Sequence, residues 1–129
     1  MQSAMVQAFH SPDIDLDDVR PVDPSVDEIL IQVMVGSDVG EGADTFDIVV
    51  CTPSGLSRLL LEEGEPMVGR HYLFVRQIDI GLIKKYLESR ISGLKASDWE
   101  ELARLIGRFG RWEFEDYREF DDREPNDHM

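Results

Sequence analysis

Near the end of the chain the run Trp112-Glu113-Phe114-Glu115-Asp116-Tyr117 sets three carboxylates among three aromatics. On an extended segment, residues two apart share a face with their Cα atoms roughly 6.5 to 7 Å apart. Glu113 and Glu115 would then stand near the spacing at which two carboxyl groups act as acid and base across a glycosidic bond. A paired-carboxylate hydrolase is one reading of these residues. Strand alternation speaks against it, because Trp112 and Phe114 go to the face opposite Glu113 and Glu115. A sugar-cleaving cleft needs its aromatics on the catalytic side. The aromatics read as core and the carboxylates as surface, so no catalytic residue is assigned.

The other candidate chemistries fail on spacing. Asp13, Asp15 and Asp17 open like a calcium loop, but position 6 is Asp18 where Gly is required, and position 12 is Pro24 where a bidentate Glu is required. Gly64 to Arg70 has the glycine spacing of a phosphate loop, yet it lacks the Lys-Ser/Thr ending, contains Glu65 and leads into a strand. His10, His71 and His128 form no zinc pattern with one another or with Cys51. His71 and Tyr72 have no nucleophile beside them and read as structural. Cys51 is the only cysteine and sits in the apolar run FDIVVCT, where a buried, inert thiol is expected. Neither a metal nor a cofactor is implied.

Charge narrows the partners. The chain carries a net charge of −14 over 129 residues. Residues 28 to 52 hold five acids and no base, and residues 111 to 129 hold eight acids and three bases, whereas residues 53 to 110 are close to neutral. Such a field repels nucleic acid, since phosphate binding requires the opposite sign. It attracts basic proteins and speeds their encounter. No stretch reaches the roughly 18 apolar residues of a membrane span, and MQSAMVQAFH has neither a basic start nor a long apolar core. A soluble, cytoplasmic protein without membrane contact is expected.

These residues need a scaffold, and the patterning supplies one. AMVQAFHS (4 to 11), EILIQVMVG (28 to 36), DTFDIVVCT (44 to 52) and HYLFVRQ (71 to 77) read as strands, the second and third as an antiparallel hairpin around SDVGEGA. Residues 11 to 27, rich in Pro and Asp, read as a long surface loop. Thr52-Pro53 opens a short helix with Leu56, Leu59 and Leu60 at helical spacing. Asp79 opens a second with Ile80, Ile83, Leu87, Ile91 and Leu94 on one face. Ser97-Asp98-Trp99-Glu100 fits a capping box and starts a third, with Trp99, Leu102, Ala103, Ile106 and Phe109 inward. WEFEDY would form a closing strand, with Trp112 and Phe114 packing, like Trp99, between helices and sheet. The order predicts an α+β fold: a mostly antiparallel sheet of about four to five strands, with two to three helices packed on one face. Residues 1–117 form the single domain and 118–129 an acidic, flexible tail.

HSPDI (10 to 14), MVG (34 to 36), FDIVVCTP (46 to 53), GRHYLFV (69 to 75), SDWEELARLIGRFG and WEFEDY together resemble the Imm8 family of bacterial immunity proteins. The resemblance spans residues 9 to 117. It implies an α+β protein of a polymorphic toxin system that binds and blocks a toxin encoded beside it, with no catalysis and no cofactor. Ser54-Gly55 departs from the bulkier or basic residues expected after Pro53, which implies a different partner at the start of that helix. Taken with that resemblance, the acidic charge leads to the expectation of a basic cleft on the toxin. The partner-facing acids would be Glu113, Glu115 and Asp116, joined by Asp38, Glu41 and Asp44 if the hairpin end lies nearby. The rival non-enzymatic reading is a structural or scaffolding domain.

Overall fold

Strands β2 (Glu28–Ser37) and β3 (Ala43–Cys51) form the hairpin that their β-branched alternation predicts, in unbroken register from Glu28 opposite Cys51 to Gly36 opposite Ala43. The computed structural model describes residues 1–40 and 42–114. Ile29, Ile31, Val33 and Val35 on β2 and Phe46, Ile48 and Val50 on β3 alternate onto one face and are buried there. Strand β1 (Gln2–His10) lies antiparallel on the far side of β2, with a bulge between Val6 and Ala8. The extra residue, Gln7, lets Val6 and Phe9 both pack on the core although they are three apart.

Thr52 ends the hairpin and caps helix α1 (Pro53–Glu63), its hydroxyl accepting the Gly55 N–H at 3.2 Å. The helix carries the chain back so that β4 (Tyr72–Phe74) joins β3 in parallel. This strand–helix–strand connection adds one parallel pair to a sheet whose other pairings are antiparallel, so the mostly antiparallel α+β sheet that is predicted forms, as a mixed one. Helix α2 (Ile80–Ser92), strand β5 (Lys95–Ala96), helix α3 (Trp99–Ile106) and strand β6 (Arg111–Trp112) complete the chain as described. The sheet runs β4-β3-β2-β1-β5, with β6 pairing the free half of β3 at Phe46 and Asp47. The two-residue strands are too short to show a period in the sequence.

Ile83, Leu87 and Ile91 of α2, with Leu102, Ala103 and Ile106 of α3, close the core over the apolar sheet face. Helix α1 goes to the reverse face. Cys51, aimed there by alternation, is buried against Gly55, where an added Cβ would lie 3.0 Å from the thiol sulfur and 2.3 Å from the Asp27 carbonyl oxygen. Position 55 is therefore filled by the fold and offers no recognition surface, which corrects the reading at Gly55, while Ser54 beside it is exposed. Of Leu56, Leu59 and Leu60, only Leu59 is fully buried.

Two further expectations change. The cap of α3 is Asp98, which accepts the Glu101 N–H at 2.8 Å, while Glu101 reaches back to the Ser97 amide at 3.2 Å. The box is thus one residue later than Ser97…Glu100. Residues 11 to 27 are not only surface: Leu16 is buried, and Ile14, Val22 and Val26 pack on the core. Lys84 ties this loop to α2 by donating to the Leu16 carbonyl at 3.1 Å.

Candidate functional site: the acidic hairpin end

Two half-buried indoles need acceptors for their N–H groups, and Asp44 supplies both. Trp99 Nε1 and Trp112 Nε1 each donate to Asp44 Oδ2 at 3.0 Å. Trp99 begins α3 and lies across Gly42 so closely that a Cβ there would stand 2.5 Å from the ring. Trp112, the last residue of β6, stacks on Phe46 with ring centroids 6.5 Å apart. One carboxylate thus fastens the hairpin end to the start of α3 and to β6.

This fastening brings Glu113 to the hairpin. The Thr45 N–H donates to Glu113 Oε1 at 3.4 Å, and the Glu113 N–H donates to the Thr45 carbonyl at the same distance. Asp38, at the turn, accepts the Ser3 N–H at 2.9 Å and returns its own N–H to the Ser3 carbonyl. Asp38, Asp44 and Glu113 therefore lie toward one end of the sheet, and the Asp98 cap and Glu100 flank Trp99 at the start of α3. Asp38 and Glu113 are exposed, whereas the Asp44 carboxylate is taken by the indoles. Glu41, Glu115 and Asp116 lie outside the described residues.

The aromatic half of the motif divides. Trp99 and Trp112 pack against the core. Phe114 is 42% exposed, meets the Trp112 ring edge-on with centroids 5.8 Å apart and lies outside the core cluster, so its expected place between helices and sheet is corrected. Regular pairing stops at Trp112, and the alternation that would turn Phe114 inward stops with it.

The remaining candidates have local employment. Asp13 Oδ2 accepts the Leu30 N–H at 2.7 Å, beyond the last β1–β2 pair. Asp15 accepts from Asp17, Asp18 pairs with Arg20, and Asp23 accepts from Ser25, each two residues on. No group of three His, Cys, Asp or Glu side chains among the described residues could hold a metal ion. His71 takes a left-handed conformation, φ 67°, and its Nε2 donates to the Gly107 carbonyl at 2.9 Å, joining β4 to the end of α3. Burial pushes the Cys51 thiol up, aided by the carboxylates of Glu28 and Asp27, so little thiolate forms near neutrality. Asp27 itself is held below the usual carboxylate range by the Arg58 guanidinium at 2.7 Å.

Sequence reasoning missed the Trp99–Asp44–Trp112 clamp. Two tryptophans each needing an acceptor was the available signal, but choosing Asp44 required knowing that α3 and β6 converge on the hairpin.

The molecule is thus an α+β domain whose main concentration of unlike elements is an acidic sheet end. It belongs to the immunity protein 8 family, Imm8, whose family profile matches residues 4–117, from within β1 past the end of β6, the last element described. The resemblance carried by FDIVVCTP and WEFEDY is borne out. Neither curated proteins nor solved structures give a match. No helix among the described residues is long and apolar enough to cross a membrane.

Proposed function

We propose that this chain is a non-catalytic immunity protein that binds the toxin encoded beside its gene and blocks it in the cytoplasm of the producing bacterium. The family match over residues 4–117 carries the reading. The charge distribution supports a basic target, because the two hairpin strands and the segment joining them carry five acids and no base between residues 28 and 52. Asp38 and Glu113 are exposed at that end, and Glu41, Glu115 and Asp116 adjoin them in sequence. Asp44 contributes by holding the end together. The toxin in this reading presents a basic cleft, and neither nucleic acid nor membrane is a partner of the chain itself.

Kinetics with the toxin encoded by the neighbouring gene test this. Neutralising Glu113→Gln, Glu115→Gln and Asp116→Asn together should slow association, change dissociation little, and lose its effect as salt rises. An unchanged association rate and salt dependence would reduce these carboxylates to ordinary surface. Absence of any complex with the wild-type chain would remove the functional reading itself.

A further inference from the structure

The acidic end adjoins a bare stretch of sheet. Alternation sends Met5, Ala8, His10, Leu30, Gln32, Met34, Thr45 and Asp47 to the face opposite the core, and the pairings set Met34 beside Ala8 and Thr45, and Met5 beside Gly36. Helices α2 and α3 occupy the other face, and α1 covers this one at the Cys51 end. No helix among the described residues covers the half toward the hairpin end; the Gln7 side chain lies over Gly36 there, while Met5 and Met34 stand 51% and 43% exposed in neighbouring rows.

From this juxtaposition we infer that the Met5–Ala8–Met34 face, together with the acidic hairpin end, is one docking surface for a basic face of a partner protein. The inference rests on the immunity reading and names the part of the surface that the toxin would cover. Methionine is unbranched and polarisable, so two of them side by side mould to an irregular partner. Lysine and arginine stems can lie on such a floor while their charged ends reach outward. The acids that would meet them are Asp38 and Glu113, both exposed at the adjoining end. Asp47 faces the same way, but its partner across the strands is Arg111, so the hairpin end supplies the unbalanced charge.

A second apolar groove sets the contrast. Between β4 and α2, exposed Phe74, Leu82 and Tyr86 line a cavity of about 450 Å³. Arg76 and Asp79 stand in its wall, so it offers a basic partner no charge of one sign.

The experiment measures binding of the neighbouring-gene toxin to the wild-type chain, to Met34→Lys and to Leu82→Lys, with urea midpoints confirming that each variant folds. Met34→Lys should weaken binding by roughly 30-fold or more, because it removes apolar contact and repels a basic face, while Leu82→Lys should bind like wild type. Should Met34→Lys unfold the chain, Ala8→Lys, at the exposed position directly opposite, makes the same test. Wild-type binding with Met34→Lys or Ala8→Lys unaffected would overturn the face and leave the immunity reading standing. Loss in Leu82→Lys alone would move the interface to the groove beside β4. A wild-type chain that binds no neighbouring toxin would overturn the immunity reading and this inference with it.

Discussion

Asp44 shows how one acid serves the fold in a region where Asp38 and Glu113 stay exposed and accept from backbone amides. Removing its carboxylate in Asp44→Ala leaves two half-buried indole N–H groups without an acceptor and should destabilise the protein by about 2 to 3 kcal/mol. Asp44→Asn keeps an acceptor oxygen and should lose about 1 kcal/mol, which urea unfolding of both variants would resolve. Equal stability of Asp44→Ala and wild type would contradict the clamp. Trp112→Ala should cost roughly 3 kcal/mol, seen as a sharply lower melting temperature, since it removes the ring stacked on Phe46 as well as the bond to Asp44. A pH dependence follows from Asp27, whose carboxyl Arg58 holds below its ordinary range. A carboxyl with a lower pKa folded than unfolded stabilises the fold above the unfolded value, and loses that contribution as pH falls through the folded one. The urea midpoints of wild type and Arg58→Gln should therefore differ at neutral pH and converge in acid below the usual carboxylate range. A difference that stays constant through that window would rule the pair out as its source.

The elements explain why some of this was legible in the sequence. Regular alternation in residues 28 to 51 gave the hairpin and its inward residues, and the Asp79 cap with the Ile80–Ile91 spacing gave α2. Short or irregular pieces were not legible. The bulge at Gln7 breaks alternation without any Gly or Pro to announce it, and β5 and β6 gain their pairing only from distant strands. The bonds of Asp38, Asp44 and Glu113 place these three acids toward one end of the sheet, but the inward turn of Asp44 was hidden, because acidity alone suggests surface. Gly42 joins these levels. Its missing side chain lets Trp99 lie on the hairpin, so Gly42→Ala should displace the indole, weaken its bond to Asp44 and destabilise the fold by about 1 to 3 kcal/mol. Tryptophan fluorescence should shift as the ring moves toward water. An unshifted spectrum with unchanged stability would contradict the close contact.

Across the whole molecule, the two sheet faces divide the work. The inner face and helices α2 and α3 hold the core, and the reverse face is covered by α1 at one end and, among the described residues, by no helix beside the acidic end. Net charge and its placement were readable from composition, and the family from short motifs spread over the chain. The open half-face was not readable until the bulge and the position of α1 were known. An immunity protein working by occlusion acts in proportion to its amount, and this separates the account from any catalytic one. The most direct measurement is therefore a titration of the neighbouring toxin's own activity with the purified chain. The account predicts a linear fall to complete inhibition at a fixed molar ratio, unchanged by longer incubation. Complete inactivation by a small fraction of that amount, progressing with time, would contradict it.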